Sequence, residues 1–159
     1  MKPSVYLETS VVSYYCARPS RDLVVAAQQE ITRQWWQERL PQFHIVISDF
    51  VLREAVAGNT EASKSRILAL KGFALLDISK EAEELANWFL KKHIVPEKKL
   101  IDALHIAVAA VHGIDYLVTW NCTHIANAEM RSAISFICDE HGYRSPSICT
   151  PQELMGAGL

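Results

Sequence analysis

Three acidic residues stand beside apolar segments of the sequence, where their carboxylates could hold a divalent metal ion. They are Glu8, Glu54 and Asp102. Carboxylates within a few ångströms of one another repel unless a cation lies between them. Oxygen ligands without a cysteine or histidine constellation suit Mg²⁺ or Mn²⁺. If the fold brings the three residues together, their types predict a magnesium or manganese site.

Asp102 is the most informative of the three residues. It lies early in a segment that continues apolar to Val111, and a carboxylate in apolar surroundings costs free energy unless it is paired or ligates a cation. The alternative is a first-turn charge favoured by the helix dipole. Taken alone, Glu8 could cap the following helix, and Glu54 could lie on a solvated helix face. The prediction therefore rests on the convergence of all three.

Strands and helices must alternate to bring these residues together, and the sequence has that pattern. Short β-branched runs bounded by polar residues predict strands at residues 4–7, 44–47, 73–76 and 116–119. Helical periodicity predicts helices over residues 22–39, 79–93 and 99–112, with Asp22 as an N-cap and Gly113 after the last helix. We therefore expect one α/β domain over residues 1–159, with a central, mostly parallel sheet flanked by helices.

The candidate residues fall at one edge of this predicted sheet. In parallel sheets, ligand sites gather beyond the carboxyl ends of the strands. Residues 8–10 follow the first strand, and Glu54 lies in the first turns of the segment after the second strand. Asp102 lies early in the alanine-rich helix, and residues 119–121 follow the last clear strand.

Composition and charge narrow the classes of function. The net charge is −2 and the pI is near 6.3, which argues against a high-affinity, non-specific nucleic-acid binder but permits an enzyme that engages a short stretch of RNA. The four cysteines are scattered, which is typical of reduced thiols. No targeting segment is visible, and the most apolar stretch is far shorter than the ~20 residues of a membrane helix. We therefore expect a cytoplasmic protein that does not engage a membrane.

Several short motifs resemble those of the PIN domain family, and in particular the toxin-type, VapC-like PIN proteins of prokaryotic toxin–antitoxin operons. They lie at residues 5–10, 51–55, 102–107, 116–121 and 150–154. Their order and spacing cover essentially the whole chain, and the last one is similar to the segment where a final short strand gives way to a terminal helix.

The resemblance implies an endoribonuclease whose carboxylates bind one or two Mg²⁺ ions that activate water. It implies that Glu8, Glu54 and Asp102 are metal ligands and that Asn121 occupies the position of a fourth catalytic acid. Thr9 or Ser10 would help to orient the carboxylates.

The sequence departs from the family pattern at three of these positions. The family normally has Asp at the position of Glu8, Asp at the position of Asn121, and often a further Asp at the position of Thr123. Because Asn121 removes a negative charge, the argument for a second metal is weaker. We therefore predict a one-metal site of modest affinity, or a site with reduced activity.

Other side chains near these motifs have two interpretations each. We assign Thr9, Ser10, Arg18 and Thr119 to substrate binding, although for Arg18 a solvated surface charge is the commoner alternative to a phosphate contact. His105 could orient the Asp102 carboxylate or contact substrate, and a core histidine with satisfied hydrogen bonds is the alternative.

Tryptophans also have two interpretations. Trp120 could stack on a base or pack against the end of the sheet. Trp35 and Trp36 are adjacent, so both cannot face the same way on a helix, and the one left partly exposed would suit a dimer or antitoxin contact.

The leading hypothesis is a Mg²⁺- or Mn²⁺-dependent endoribonuclease that cleaves RNA phosphodiester bonds by metal-activated water, forms a homodimer and is inhibited by a cognate antitoxin. The main alternative is a catalytically weakened PIN-like module that binds RNA or a protein partner. A third hypothesis is a Mg²⁺ phosphohydrolase that acts on small substrates.

Overall fold

Five parallel strands form the centre of the fold in the part of the chain that the structure describes. The computed structural model describes residues 1–156, so residues 157–159 of the expected domain lie outside the described residues. The strands are β1 (Ser4–Leu7), β2 (His44–Ser48), β3 (Ala74–Leu76), β4 (Tyr116–Val118) and β5 (Ser147–Cys149). Their order across the sheet is β3-β2-β1-β4-β5, and every neighbouring pair is parallel. The carboxyl ends of all five strands therefore lie at the same edge, and the predicted α/β class is confirmed.

Within residues 1–156, seven α-helices connect and cover the strands. They are α1 (Thr9–Cys16), α2 (Leu23–Glu38), α3 (Asp49–Ala55), α4 (Thr60–Leu70), α5 (Lys80–Lys91), α6 (Leu100–Val111) and α7 (Ala128–Glu140). Short 3₁₀ turns occupy Leu40–Gln42 and Glu97–Lys99. The predicted N-cap Asp22 accepts the backbone N–H groups of Val24 and Val25. The predicted C′ glycine of α6, Gly113, adopts a positive φ of 65°.

The core lies around β1 and α6. Val5, Tyr6 and Leu7 are all completely buried, and since consecutive strand residues point to opposite faces, both faces of β1 are covered. Residues 103–110 of α6 are also buried, as the apolar composition of this helix predicts. The adjacent tryptophans of α2 separate as expected, because Trp35 is fully buried while Trp36 is partly exposed.

The end of the chain differs in one detail from the expectation. The last short strand, β5, ends directly before Thr150. Residues 151–154 then form a turn, closed by the backbone N–H of Leu154 donating to Pro151. Up to residue 156, this turn stands where the resemblance implies the start of a terminal helix.

Within residues 1–156, no helix combines the length and the apolar character that crossing a membrane requires.

Candidate metal centre

The candidate site lies at the carboxyl edge of the sheet, beside the ends of β1 and β2. Glu8 follows β1 directly and is the N-cap of α1. Its backbone N–H donates to the carbonyl of Val118 at 3.1 Å, which extends the pairing of β1 with β4 by one residue. Glu54 is the penultimate residue of α3, and this seven-residue helix begins where β2 ends. The sheet therefore brings two residues that are far apart in sequence to one edge.

A network of hydroxyl groups holds the Glu8 carboxylate, which is only 5% exposed. Oε2 accepts the backbone N–H of Ser10 at 3.1 Å. Oε1 accepts the hydroxyl of Thr119 at 2.5 Å and also the hydroxyl of Ser10. The Ser10 hydroxyl in turn accepts the backbone N–H of Trp120 at 2.8 Å, and the Thr119 hydroxyl accepts the backbone N–H of Asn121 at 2.9 Å. Because both hydroxyl oxygens accept hydrogen bonds from the loop after β4, the hydroxyl protons of Ser10 and Thr119 point towards Glu8.

The Glu54 carboxylate is held from the opposite side of the site. Its Oε1 accepts the hydroxyl of Thr9 at 2.8 Å and Nε2–H of His105 at 2.6 Å. Burial alone would raise the pKa of Glu54, but the hydrogen bonds from His105 and Thr9 outweigh burial and hold this pKa below its ordinary value. Glu54 is therefore ionised at neutral pH.

His105 connects Glu54 to the core. Its side chain is completely buried, and Nδ1 lies 2.7 Å from the hydroxyl oxygen of Tyr6. The same oxygen lies 2.6 Å from Oγ of Ser48. Burial raises the pKa of the Tyr6 phenol well above its usual value, against the opposing effect of the Ser48 hydrogen bond. Tyr6 therefore stays protonated, and His105 is a satisfied core histidine that also orients a carboxylate.

The carboxylates of Glu8 and Glu54 have the chemistry of a divalent cation site. Glu8, Glu54 and His105 each offer one ligand atom, and these atoms lie within 4.8 Å of one another. The Nε2–H of His105 is committed to Glu54, so the carboxylate oxygens are the available ligands. A carboxylate has about four lone-pair sites. Glu8 uses three and Glu54 uses two, which leaves sites on both for a cation.

Within residues 1–156, the charges of Glu8 and Glu54 lack a lysine or arginine partner. Two carboxylate charges at this separation repel by roughly 3 kcal/mol at an effective dielectric constant of about 20. In the described part of the chain, no lysine or arginine nitrogen lies within 4.0 Å of either carboxylate. The donor set fits Mg²⁺ or Mn²⁺, which prefer oxygen ligands.

Asp102 lies next to this pair rather than within it. It is half-buried in the first turn of α6, one turn before His105. Among residues 1–156, the group whose ligand atoms lie within 4.8 Å of one another contains Glu8 and Glu54 but not Asp102. The structure thus brings together two of the three predicted carboxylates and adds a histidine. Direct ligation by Asp102 stays a prediction.

Asn121 and the predicted substrate-binding hydroxyls have structural partners. Oδ1 of Asn121 accepts the backbone N–H of His124 at 3.0 Å, which shapes the loop after β4. Thr9, Ser10 and Thr119 donate to the two carboxylates, so the geometry favours the orienting role that the resemblance implied for Thr9 and Ser10. A direct contact of any of these residues with substrate stays a prediction.

Arg18 lies further away. It is exposed and follows the C-terminal end of α1, whereas Glu8 caps the other end of this helix. At 1.5 Å per residue, the length of α1 separates the two ends by about 12 Å. A contact between Arg18 and a phosphate stays a prediction.

Trp120 packs against the end of the sheet. It is 8% exposed, its indole N–H donates to the hydroxyl of Thr32 at 2.7 Å, and its ring stacks on Tyr14 at 6.0 Å between centroids. Of the two interpretations of Trp120, stacking on a base and packing against the sheet, the structure shows packing.

The hydrogen bond between His105 and Glu54 is the feature of the candidate site that sequence reasoning missed. The sequence offered one signal for it, a histidine in a helix that is otherwise apolar after Asp102. Its partner, 51 residues away, is visible only in the fold.

Comparison with known proteins decides the family. The model of the PIN domain family matches residues 5–121. The chain belongs to the PIN domain family. The matched segment runs from β1 to the loop after β4, and therefore contains Glu8, Glu54 and His105. None of the curated proteins matches the sequence of this PIN domain significantly.

Two solved structures are similar to this PIN domain. The structure of VapC20 from Mycobacterium tuberculosis, a sarcin-ricin loop cleaving toxin, has a TM-score of 0.60 and 18% sequence identity, and the match covers 81% of this chain and 94% of that chain. A chain of VapBC2 from Rickettsia felis, solved bound to a DNA fragment from its promoter, has a TM-score of 0.54 and 17% identity, over 74% of this chain and 88% of that chain. At these identities the likeness shows a common fold.

Proposed function

We propose that this PIN domain is a metal-dependent endoribonuclease of the toxin–antitoxin type, with Mg²⁺ or Mn²⁺ held between Glu8 and Glu54. The observation that carries the proposal is the pair of carboxylates with ligand atoms within 4.8 Å and, within residues 1–156, no lysine or arginine nitrogen within 4.0 Å of them. Repulsion in such a pair is offset when a divalent cation binds.

The residues around the pair prepare it for this role. When bound, a divalent cation supplies the Lewis acidity that activates water and stabilises the charge developing on a phosphate. Thr9 and His105 hold one oxygen of Glu54, and Ser10 and Thr119 hold Glu8. The low pKa of Glu54 keeps its charge available at neutral pH. Carboxylates fixed in this way lose little conformational freedom when they bind an ion.

The exposure of the two carboxylates indicates from which side a substrate would enter. Glu8 is 5% exposed, while the side chain of Glu54 is 40% exposed. The substrate would therefore approach over Glu54. We propose RNA as the substrate because of the family, the oxygen-ligand site and the fold shared with a sarcin-ricin loop cleaving toxin.

An exposed apolar groove supports a protein partner, such as an antitoxin or a second copy of the chain. The groove has a volume of about 610 Å³ and lies between α4 and β3, the edge strand of the sheet. Leu68 and Leu75 line it and are 72% and 56% exposed. Exposed apolar surface of this kind is typical of protein contact sites.

The proposal is tested by removing one carboxylate at a time. In Glu8→Gln and Glu54→Gln, we expect Mg²⁺- or Mn²⁺-dependent RNA cleavage to fall at least about 100-fold, because loss of a ligand should cost no less than loss of a residue that orients one. Glu61→Gln, on an exposed position of α4, is the matched control and should cleave like wild type. Equal cleavage by all four proteins would refute the proposal.

A second candidate function is a PIN domain that binds RNA or a protein without cleaving RNA. It is favoured by Asn121, whose amide oxygen is engaged by the backbone of His124. Purified protein that cleaves no RNA at saturating Mn²⁺, but still binds RNA or retains a protein partner, would support this alternative.

A further inference from the structure

A chain of buried hydrogen bonds leads from the core to the candidate metal centre. It connects Ser48 to Tyr6 at 2.6 Å, Tyr6 to Nδ1 of His105 at 2.7 Å, and Nε2 of His105 to Glu54 at 2.6 Å. Ser48, Tyr6 and His105 are all completely buried. The chain joins β2, β1, α6 and α3, and its last member is the half-exposed carboxylate of Glu54.

The positions of the hydrogen atoms in this chain are set by the carboxylate of Glu54, its last member. An ionised carboxylate only accepts hydrogen bonds, so Nε2 of His105 carries a proton and donates it to Glu54. In the neutral imidazole, Nδ1 is then the acceptor, and Tyr6 must donate to it. The Tyr6 oxygen in turn accepts the hydroxyl proton of Ser48. This arrangement leaves no member of the chain unsatisfied.

We propose that Tyr6 and His105 are positioning residues: Tyr6 fixes the orientation of the His105 ring, and His105 holds Oε1 of Glu54 so that Oε2 of Glu54 faces the cation. The inference rests on the proposed function to the extent that Glu54 holds that cation. His105 then acts through Glu54. One of its ring nitrogens lies within 4.8 Å of a carboxylate oxygen of Glu8 and of Glu54, but in this proposal it holds Glu54 and does not bind the ion. A hydrogen-bond partner of a metal ligand that fixes its orientation raises metal affinity by about 10- to 100-fold.

If the Tyr6 hydroxyl served only to stabilise the core, its removal would have a different result, and this difference makes the proposal testable. A purely structural role for the Tyr6 hydroxyl would be met by its hydrogen bond to Ser48, and its loss would lower stability without changing the Mn²⁺ affinity of the folded protein. The decisive readout is therefore the Mn²⁺ affinity, and long-range ¹H–¹⁵N NMR spectra of metal-free protein check that Nε2 of His105 carries the proton.

The first experiment compares wild type with Tyr6→Phe, and with Tyr116→Phe as the matched control on the neighbouring strand β4. Wild type should have a protonated Nε2 and an unprotonated Nδ1 at His105. Tyr6→Phe should keep the Nε2 proton, which Glu54 fixes, and should bind Mn²⁺ about tenfold more weakly by calorimetry. Tyr116→Phe should leave the tautomer and the Mn²⁺ affinity unchanged.

A second pair of variants keeps the test valid if Tyr6→Phe does not fold. His105→Gln retains an N–H donor close to the position of Nε2, whereas His105→Leu does not. We expect the Gln variant to keep more Mn²⁺ affinity than the Leu variant, and equal affinities would overturn the role of His105.

The outcomes separate this inference from the proposed function. If wild type binds Mn²⁺ but folded Tyr6→Phe keeps the wild-type Mn²⁺ affinity, the inference is wrong and the proposed function stands. An unprotonated Nε2 in wild type would also overturn it. If wild type binds no Mn²⁺, the proposed function fails and takes the inference with it.

Discussion

Carboxylates at opposite edges of the same sheet are held in different ways. At the amino edge, Asp115 accepts the backbone N–H and the hydroxyl of Ser4, at 2.9 and 3.0 Å, and the guanidinium of Arg144 at 3.0 Å. The backbone N–H of Ser4, then Arg144 and the Ser4 hydroxyl, hold the pKa of Asp115 below its ordinary value. This acid ties β1, β4 and the segment before β5 together, and a basic residue of the chain balances its charge.

At the carboxyl edge, Glu8 and Glu54 also accept hydrogen bonds from hydroxyl and N–H donors. Among the described residues, His105 is the only basic side chain within 4.0 Å of these carboxylates. Hydrogen bonding therefore does not distinguish the two edges. What distinguishes them is a guanidinium that is present at Asp115 and a second carboxylate that is present at Glu8. The comparison teaches that a missing counter-charge, rather than an acidic residue as such, marks the candidate metal centre.

The largest expected effect is the stabilisation of the protein by a divalent ion. An ion at 100 times its Kd stabilises the folded state by about 2.7 kcal/mol, which raises the Tm of a domain of this size by roughly 5–10 °C. We expect this rise on adding Mn²⁺ to wild type and to Asp115→Asn, and not to Glu8→Gln. Thermal unfolding with and without Mn²⁺ measures it. A rise of equal size in Glu8→Gln would show that the ion binds elsewhere.

The next effect concerns Asp102, which lies one helical turn from His105 and outside the close pair. We expect Asp102→Asn to reduce RNA cleavage by roughly 10- to 100-fold, the size typical of a group that acts on a metal from outside the ligand set. Asp115→Asn should cleave RNA like wild type. If Asp102→Asn is as inactive as Glu8→Gln, Asp102 is a direct ligand in the working enzyme. If it is fully active, the acid has no part in the reaction.

The smallest effect is on stability in acid, where the two edges should behave alike. The pKa values of Glu54 and Asp115 are both lower in the folded protein than their ordinary values of 4.5 and 3.8. Each acid therefore contributes stability that is present above the ordinary pKa and is lost as the pH falls through the folded pKa. Since both side chains are about two-fifths exposed, solvent screening keeps the contribution small.

Denaturant unfolding of metal-free protein below pH 5 measures this acid dependence. We expect Glu54→Gln and Asp115→Asn each to flatten the fall in unfolding free energy, with Glu61→Gln as a control that leaves it unchanged. A steeper fall in either variant would contradict the direction of its pKa shift.

Much of the fold follows from the sequence. β-branched runs locate four of the five strands to within one residue of their observed ends, because a buried parallel strand needs apolar side chains on both faces. The rule that sites lie at the carboxyl edge correctly brings Glu8 and Glu54 together. The strand β5, with three residues, is too short to give a periodic signal of its own.

The details of the candidate site depend on side-chain contacts between distant elements. The pairing of His105 with Glu54 and of Thr119 with Glu8 joins residues 51 and 111 positions apart, and no local pattern encodes such a pair. From the sequence alone, we expect repulsion between the acids to be relieved only by a cation. In the structure, five hydrogen-bond donors already offset part of it, because α1, α6 and the loop after β4 converge on the same edge.

The most direct test of the account is a crystal of the protein soaked in Mn²⁺ and measured for anomalous scattering. We expect one strong anomalous peak within bonding distance of a carboxylate oxygen of Glu8 and of Oε2 of Glu54, with His105 still hydrogen-bonded to Oε1. A map without a peak between these two side chains at saturating Mn²⁺, or with the ion bound at another face of the molecule, would contradict it.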